Sequence, residues 1–469
     1  MTFVLQHPLF RTSERAYAVE VIFGDWLGLE VNLRPCERTD WLLADCAGLA
    51  RLRMPDQFFE RTALSWLKPE SLQIEKLPHW RPRESFWDVP LLEDDLPIIA
   101  GREHPTGGYW QSFGTALDEC WLGLDVLGSA FFLLSRYEEV AAPEVDQHHR
   151  FPAAASLAKR EGFLERPLLD EYVEVLWAAM QRLWPGLRRR QMQGGVKFTC
   201  DVDIPYDPTI KSNSKLLRKI AADVIKRRSL STVYSRVEAA AAARSGDFSK
   251  DPNNSFDAIM NLCEARGIKG SFFFISGHSA GEIDGCYSLD EPFISSLLTN
   301  IAHRGHEIGM HGSYNSFRNL EILRRERSCL VEACKKNRLD MPILGNRQHF
   351  LRWDSGITPK LLNDVGFEYD TTGGFADMPG FRFGTGRSFE MWDWRQGQKI
   401  KLRQKPLIMM ETSVISNRYL GLGYGEETWE KVSRLKSRAL YYGGNFTMLW
   451  HNSHLNLSDD WRLLDGLLK

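Results

Sequence analysis

The sequence predicts an α/β protein in two parts: a mixed α/β N-terminal domain and, after it, an incomplete (β/α)7 barrel. Two observations predict this fold. The chain has 469 residues, which is more than one ordinary domain contains. From residue 196 onward, short apolar runs alternate with helical patterns, as in a parallel sheet connected by helices. We therefore expect two domains, over residues 1–190 and 191–469.

The N-terminal residues carry mixed patterns. Residues 17–23 alternate like a strand. Asp125 precedes an apolar stretch and is placed to cap a helix. Residues 168–183 have apolar side chains at helical spacing, and this pattern ends at Trp184-Pro185-Gly186. None of these patterns indicates a chemistry, so the sequence leaves the role of the N-terminal domain open.

The remaining residues predict seven strands and five helices. The candidate strands are 196–200, 271–275, 307–310, 346–351, 367–370, 406–410 and 446–450. The candidate helices are 256–266, 292–303, 320–336, 359–365 and 428–441. Glycines 267, 305 and 366 follow three of these helices, where a left-handed cap favours glycine. In such a barrel, catalytic groups collect at the carboxyl ends of the strands.

Composition and charge narrow the class of function. Hydrophobic residues make up 43% of the chain, charged residues 26%, and the net charge is -2, so the protein is globular and no nucleic-acid partner is expected. The N-terminus lacks the pattern of a secretory signal, and no apolar run approaches ~20 residues, so a cytoplasmic location is expected. The 8 cysteines include no Cys-x-x-Cys pair, which indicates free thiols in a reducing compartment.

One segment interrupts the strand–helix alternation. Residues 206–255 form an insertion, and residues 211–228 within it hold seven Lys or Arg. Leu217, Ile220 and Val224 fall on one helical stripe. The pattern is typical of a basic amphipathic helix that contacts a phosphate-bearing substrate or an anionic membrane surface, here the periphery of the inner membrane. A solvated helix packed on the barrel explains the same pattern, and we favour it.

Two aspartates end the first barrel strand. Asp201 and Asp203 share one face of the strand because successive side chains alternate. Two close carboxylates repel each other unless a cation or a proton lies between them. The pair is therefore a candidate for metal binding and acid–base chemistry, and the alternative is a pair of turn-capping residues.

Two histidines end two further strands. His311 follows the third candidate strand, and Asn315 comes one helical turn later, so both could hold one metal ion from the same side. His451 ends the last strand, which is a common position for a general acid. Each histidine could equally be a core residue bonded to backbone.

Basic side chains lie on the fourth candidate strand. Alternation puts Arg347 and His349 on one face, and it puts Arg352 on the other unless the strand ends or bulges there. A buried arginine near two aspartates would hold one of them ionised. The alternative is a surface salt bridge. Tyr314 is one of several aromatic residues that could stack on a sugar ring or belong to the core.

Together these segments resemble the polysaccharide deacetylase family, the NodB-homology group of carbohydrate esterases. The resemblance depends on the order and spacing of five motifs. It implies that Asp201 is the catalytic base, that Arg352 orients it, and that His451 is the catalytic acid. It also implies that Asp203 and His311 bind a divalent metal ion, with zinc as the first candidate.

The sequence departs from the family pattern at one ligand. Over the resembling residues, 195–455, the family has His-x-x-x-His, whereas the second position here is Asn315. An amide oxygen is a poorer zinc ligand than imidazole, so Asn315 is expected to bind weakly, or His349 or Glu411 completes the site. The N-terminal domain also resembles an extension found on a bacterial subgroup associated with surface-polysaccharide gene clusters, including those for O-antigen.

The resemblance implies a metal-dependent hydrolase that removes an acetyl group from an N-acetylated sugar. A cytoplasmic substrate would be a nucleotide sugar or a lipid-linked surface-polysaccharide precursor, with Arg347, His349 and Tyr314 as substrate-binding residues. One alternative, suggested by Asn315, is a catalytically silent barrel that binds glycan or scaffolds polysaccharide assembly. A second alternative is a hydrolase of another amide or of an O-acetyl ester.

Overall fold

The chain is mixed α/β, as predicted, with one main sheet in each part. The computed structural model describes residues 2–73, 76–85, 89–113, 118–211, 213–222, 224 and 230–469. All statements about elements below refer to these residues.

The N-terminal part contains a six-stranded sheet. Its described strands are β1 (Thr2–His7), β2 (Glu30–Pro35), β3 (Asp40–Asp45), β4 (Arg51–Pro55), β5 (His79–Trp80), β6 (Leu96–Pro97), β7 (Trp110–Phe113) and β8 (Glu119–Leu122). The main sheet has the order β2-β1-β3-β4-β8-β7, and β5 pairs with β6 separately. The helices are α1 (Thr12–Val19), α2 (Gln57–Thr62), α3 (Val126–Leu134), α4 (Tyr137–Ala141), α5 (Leu157–Arg160) and α6 (Leu168–Leu183).

Two of the N-terminal predictions are confirmed and one is wrong. Asp125 caps α3 by accepting a hydrogen bond from the backbone N–H of Gly128 at 2.8 Å, and α6 has the predicted bounds. Residues 17–23, in contrast, lie in α1 and in the π-helix Glu20–Leu27 that continues it. This segment is buried on most of its sides, so apolar periodicity does not separate helix from strand there.

The second part contains a nine-stranded sheet. Its strands are β9 (Val196–Val202), β10 (Ser271–Ile275), β11 (Glu307–Gly312), β12 (Gly345–Gln348), β13 (Tyr369–Asp370), β14 (Phe389–Asp393), β15 (Gln398–Gln404), β16 (Met409–Met410) and β17 (Phe446–His451). Its helices are α7 (Asn213–Ala222), α8 (Leu230–Arg244), α9 (Phe256–Glu264), α10 (Pro292–His303), α11 (Leu320–Lys336), α12 (Thr358–Val365), α13 (Glu411–Ile415), α14 (Glu426–Tyr441) and α15 (Ser458–Leu468).

All seven predicted strands are present, and the sheet also contains a hairpin that was not predicted. The strand order is β14-β15-β13-β12-β11-β10-β9-β17-β16. Neighbours pair in parallel, except for the antiparallel hairpin β14–β15. The hydrogen-bonded order ends at β14 and β16, so closure into a barrel of seven strands stays a prediction.

The register of the parallel strands collects polar side chains at one end of the sheet. His451 of β17 pairs with Asp201 of β9. His311 of β11 pairs with Arg347 of β12. Because parallel strands present their carboxyl ends at the same edge, these four residues and the loops that follow them surround one region.

The two parts of the chain share a continuous hydrophobic core and several buried ion pairs. Arg382 of the second part contacts Glu139 of the N-terminal part at 2.7 Å. Arg387 contacts Asp170 at 3.1 Å. Burial alone would raise the pKa of Glu139, but the charges of Arg382 and Arg136 lower it to about 2. Buried ion pairs therefore join the two parts of the chain.

The insertion at residues 206–255 lies between β9 and α9 and contains α7 and α8. The basic segment predicted at residues 211–228 falls partly outside the described residues. In its described part, Leu217 and Val224 are exposed. None of the described helices combines the length and the hydropathy needed to cross a bilayer.

Candidate metal centre and active site

Three side chains converge at the carboxyl ends of three parallel strands of the nine-stranded sheet. Asp203 follows β9, His311 lies in β11 and His349 follows β12; we call them the Asp–His–His cluster. Their possible ligand atoms all lie within 4.8 Å of one another. His311 Nε2 is 3.2 Å from Asp203 Oδ1, and His349 Nε2 is 3.5 Å from Asp203 Oδ2. One cation could therefore contact all three side chains.

The second ring nitrogen of each histidine is already committed. His311 Nδ1 donates to the backbone carbonyl of Arg347 at 3.0 Å, because a carbonyl oxygen only accepts. His349 Nδ1 lies 3.0 Å from Asp284 Oδ1, a carboxylate that is fully buried. These bonds turn Nε2 of both rings toward Asp203. Such a partner behind the ring is typical of metal-binding histidines.

The cluster contains polar atoms that lack a hydrogen bond. Within the described residues, Asp203 Oδ1 and His311 Nε2 are buried and have no hydrogen-bond partner. A buried polar group without a partner costs about 1–3 kcal/mol, so these atoms point to a bound group. One carboxylate and two imidazoles suit a divalent ion such as zinc. The residues present thus fit the metal ion that the sequence resemblance implies.

The electrostatics of the cluster require positive charge beside Asp203. Burial would raise the pKa of Asp203, but the charge of His349 and the nearby ring nitrogens of His311 and His349 hold it well below its usual range. Burial would lower the pKa of His349, and the negative charge of Asp203 raises it to about 9. A proton or a metal ion must therefore lie between these side chains, and metal binding would release that proton.

Asp201 lies beside the cluster and is almost fully buried. Its Oδ2 is 3.6 Å from His311 Nε2, and its Oδ1 is 3.5 Å from Arg347 Nη1. Arg347 also donates to Thr199 Oγ1 at 3.0 Å and to Thr371 Oγ1 at 3.3 Å. The guanidinium is therefore fixed in place, and it orients the Asp201 carboxylate.

The arginine in contact with Asp201 is Arg347 rather than Arg352. The chain turns sharply after β12, where Phe350 and Leu351 have φ angles of 60° and 55°. This left-handed turn removes Arg352 from the alternation of the strand. Arg352 therefore does not contact Asp201, the predicted base, and Arg347, which was predicted to bind substrate, occupies the position expected of Arg352.

Arg352 instead joins two loops at the rim of the site. It donates to the backbone carbonyl of His148 at 2.8 Å, to that of Tyr314, and to Asn315 Oδ1 at 3.2 Å. Its guanidinium lies 3.9 Å from the centre of the Tyr314 ring. Tyr314, predicted to bind substrate, is thus engaged by Arg352.

Asn315 does not supply the third ligand. Its Nδ2 donates to the carbonyl oxygen of Ser279 at 3.1 Å, while its Oδ1 accepts from Arg352. Both ends of the amide are occupied and the residue is exposed, which does not suit a metal ligand. His349 lies in the cluster instead, so the geometry favours it over Asn315 as the third candidate ligand, whereas its role in substrate binding stays a prediction.

His451 lies on another side of Asp203. Its Nε2 is 3.6 Å from Asp203 Oδ2, and its Nδ1 is 2.6 Å from Glu411 Oε1. Burial would lower the pKa of His451, but the carboxylate of Glu411 raises it to about 10. The ring is therefore protonated at neutral pH, which is the state that a general acid needs.

His454 contacts the same carboxylate, with its Nδ1 2.8 Å from Glu411 Oε1. The group Glu411, His451 and His454 is also compact enough to hold a metal ion. However, both Nδ1 atoms meet one oxygen at hydrogen-bonding distance, so we interpret the group as a hydrogen-bonded network that keeps His451 charged.

The Asp–His–His cluster, together with Asp201 and His451, lines one cavity of about 410 Å³. This volume is typical of small-ligand sites. Asp201, Asp203, His311, His349 and His451 form its polar floor. Its apolar lining residues are Ile204, Phe350, Leu351, Met410, Tyr419 and Leu449. The cavity thus places an apolar surface beside the candidate acid, base and metal ligands.

The N-terminal part of the chain contributes to the wall of this cavity. Arg150 lines it, donates to the carbonyl oxygen of Phe350 at 3.0 Å and pairs with Asp146 at 2.7 Å. His148 Nδ1 is 3.0 Å from the hydroxyl of Tyr314. The domain whose chemistry the sequence did not indicate is therefore part of the site.

Several residues of the site were not found from the sequence, among them three charged side chains. Asp284, which orients His349, lies in a short turn between β10 and α10 that has no distinctive pattern. Arg150 and Arg418 line the cavity from loops distant in sequence. Glu411, in contrast, lies at the end of a predicted strand, and the sequence indicated it as a possible further ligand.

One family model matches part of the chain. DUF7033, described as a family of unknown function, matches residues 5–185, which is the N-terminal part. No curated protein matches the chain significantly.

Three solved structures are similar to the chain at low sequence identity. A protein assigned as a polysaccharide deacetylase from Mycobacterium smegmatis has 16% identity over 60% of this chain and 84% of that chain, with a TM-score of 0.38. One assigned likewise from Pseudomonas aeruginosa PAO1 has 12% identity over 59% and 84%, with a TM-score of 0.36. Puue allantoinase has 12% identity over 61% and 85%, with a TM-score of 0.34. Similarity at this level does not decide the function of this chain.

Proposed function

We propose that the chain is a metal-dependent hydrolase that removes an acetyl group from an N-acetylated sugar. The observation that carries the proposal is the Asp–His–His cluster, with Asp201 on one side of it and His451 on another. A carboxylate base, a protonated imidazole and a set of divalent-metal ligands around one cavity are the parts that amide hydrolysis requires.

The cluster would hold a divalent ion, with zinc as the first candidate. Asp203, His311 and His349 supply one oxygen and two nitrogen ligands, which leaves room for water or substrate, as in catalytic zinc sites. Such an ion, when bound, polarises the acyl carbonyl and lowers the pKa of water.

Asp201 is the residue placed to accept the proton of the attacking water. Arg347 fixes its carboxylate, and burial separates it from bulk solvent. The low exposure of this pair strengthens its electrostatic interactions. Asp201 would thus be charged and correctly oriented before the substrate binds.

His451 is the residue placed to protonate the leaving nitrogen. Glu411 keeps the imidazolium charged at neutral pH, so a proton is available when the carbon–nitrogen bond breaks. Water then contributes a hydroxyl group to the acetyl carbon and a proton to the nitrogen. The products are acetate and a free amino sugar.

The alternative of a catalytically silent barrel loses its main support. It was suggested by Asn315, and His349 now supplies the third ligand. A glycan-binding protein would not need the buried pairs Asp201–Arg347 and Glu411–His451. Hydrolysis of another amide or of an O-acetyl ester uses the same residues, and only substrate profiling separates these reactions.

The substrate in this proposal is a nucleotide sugar or a lipid-linked surface-polysaccharide precursor, handled in the cytoplasm. A lipid-linked substrate would be reached through peripheral contact of residues 211–228 with an anionic membrane. The exposure of Leu217 and Val224 supports such contact, since an apolar stripe beside basic residues suits a membrane surface.

The test is acetate release by zinc-loaded protein from a panel of N-acetylated nucleotide sugars. His349→Ala is the test variant, and Asn315→Ala is its matched control. We expect His349→Ala to lose both bound zinc and turnover, and Asn315→Ala to retain both. Full turnover by His349→Ala would contradict the ligand assignment, and no acetate from N-acetylated sugars, nucleotide-linked or lipid-linked, would contradict the proposed reaction.

A further inference from the structure

One arginine in the catalytic cavity lacks an acidic partner. Arg418 follows α13 and lines the cavity. Two arginines closer to the candidate catalytic groups are neutralised: Arg150 pairs with Asp146 at 2.7 Å and Arg347 with Asp201 at 3.5 Å. Across the described part of the chain, no Asp or Glu oxygen comes within 4.0 Å of the Arg418 guanidinium. Its positive charge is therefore free to meet an anion from outside the protein.

The Arg418 side chain is exposed, and its guanidinium contacts two aromatic side chains. Its Nη2 donates to His148 Nε2 at 3.2 Å, and its centre lies 5.6 Å from the centre of the Tyr419 ring. His148 can accept this bond because its Nδ1 is engaged by the hydroxyl of Tyr314. Burial, followed by the charge of Arg150, lowers the pKa of His148, so its ring is neutral and suited to accept.

These contacts leave most of the donors of Arg418 available. A guanidinium has five N–H donors in a rigid fork that matches two oxygens of a phosphate or a carboxylate. The side-chain hydrogen bond to His148 uses one of them. A positioned cation with free donors in a ligand cavity is a site for an oxyanion.

We propose that Arg418, positioned by His148, binds an anionic oxygen group of the substrate, a phosphate or a carboxylate, next to the acyl group that is hydrolysed. This inference rests on the proposed hydrolase function and identifies the residue that recognises the acidic group of its substrate. A diphosphate-linked sugar and an acidic sugar both present such a group.

The position of His148 gives the N-terminal domain a role in this selection. His148 belongs to the N-terminal part, whereas Arg418 belongs to the second part, so the anion site exists only where the two parts meet. The loop of residues 146–150 thereby couples the N-terminal domain to substrate choice. Arg418 is the specificity-determining residue, and His148 is a positioning residue.

Calorimetric titration tests the inference without requiring turnover. The probes are methyl phosphate, uridine diphosphate and glucuronate, titrated into wild type, Arg418→Gln, Arg418→Lys and His148→Ala. Arg324→Gln is the control, because it removes an exposed arginine of α11 that does not line the cavity and that pairs with Glu321 at 3.1 Å. The same titrations on Asp203→Asn protein separate anions held by Arg418 from anions held by a metal.

We expect Arg418→Gln to weaken binding of at least one phosphate or carboxylate probe by ~10-fold or more, since hydrogen bonds to charged groups contribute that much. Arg418→Lys should weaken it less, and Arg324→Gln should leave it unchanged. The probe most affected identifies phosphate or carboxylate as the recognised group.

Two results would overturn the inference: wild type that binds none of the probes, and Arg418→Gln that binds them as tightly as Arg324→Gln. Anion binding that depends on Arg418 in a protein releasing no acetate would instead contradict the proposed hydrolase function alone. Acetate release without Arg418-dependent binding would contradict the anion site alone.

Discussion

At the scale of single residues, the direction in which each candidate histidine ligand points depends on the contact that its Nδ1 atom makes. His311 is held by a backbone carbonyl and His349 by the carboxylate of Asp284. A backbone carbonyl cannot be removed by mutation, but a carboxylate can. The contribution of this outer contact can therefore be measured at Asp284.

We predict that Asp284→Asn lowers zinc affinity by ~10–100-fold, the usual effect of losing a partner behind a metal-binding histidine. The measurement is competition with a chromophoric chelator. Asp290→Asn is the control, because Asp290 is exposed nearby and pairs only with a lysine in the described structure. Equal zinc affinity of both variants would show that Asp284 does not orient the ligand.

A second prediction concerns the proton on His451. Its pKa is raised to about 10, so the protonated ring persists at neutral pH and is lost as the pH rises through that value. Glu411→Gln removes the charge that raises the pKa, which should then fall toward ~6.5. We expect kcat/KM of this variant to drop ~100-fold near about pH 8.5 and to recover toward acidic pH.

The measurement is the pH profile of kcat/KM. His454→Ala is the control, because His454 contacts the Glu411 carboxylate from an exposed position and its removal leaves that charge beside His451. An unchanged alkaline limb in Glu411→Gln would exclude His451 as the acid.

At the scale of elements, prediction succeeded where periodicity was strong and local. The helices α10 and α11 have the predicted bounds, and each predicted barrel strand lies in the sheet. The hairpin β14–β15 was missed although Ile400 and Leu402 alternate with polar residues, because a parallel pattern was assumed throughout.

The candidate site was predictable only in part, for a physical reason. Asp201, Asp203, His311 and His451 end strands, and parallel strands bring such ends together. The third ligand, in contrast, depends on the register between β11 and β12 and on the loop beyond β12. No local pattern encodes that register.

The turn after β12 decides which arginine acts. Phe350 and Leu351 adopt positive φ, which is uncommon for residues other than glycine, so the sequence does not indicate the turn. Arg347, which precedes the turn, faces Asp201, and Arg352, which follows the turn, faces the rim of the cavity.

We therefore predict opposite outcomes for two conservative substitutions. Arg347→Lys should lower kcat by ~10-fold or more, because an ammonium cannot replace the fork that contacts Asp201 and two threonines. Arg352→Lys should change kcat by less than about threefold, since Arg352 touches neither the base nor the metal ligands. The measurement is kcat of both zinc-loaded variants from steady-state kinetics. A larger loss of kcat in Arg352→Lys than in Arg347→Lys would support Arg352, as the family resemblance implies, as the residue that orients Asp201.

At the scale of the whole molecule, buried charges join the two parts of the chain. The folded-state pKa of Glu139 is about 2, below its ordinary value of ~4.3. A depressed carboxyl pKa stabilises the fold above the ordinary value, and this stability is lost as the pH falls from that value toward the folded-state pKa.

We predict that Glu139→Gln unfolds more easily than wild type at neutral pH and that the difference, about 3 kcal/mol, shrinks between about pH 4.5 and pH 2. Urea unfolding at a series of pH values measures it. Glu321→Gln is the control, because Glu321 forms an exposed ion pair with Arg324. Its free energy of unfolding should equal that of wild type at every pH. A difference that is independent of pH would exclude the Glu139–Arg382 ion pair as its source.

The loop of residues 146–150 has a consequence for how this protein can change over generations. A recombination event that joined the second part to a different N-terminal partner would remove Arg150 and His148 from the cavity and leave Arg382 and Arg387 buried without their acids. Such a chimera would lose solubility and selectivity together. We therefore expect the two parts to be inherited as one unit, with correlated sequence changes where they meet.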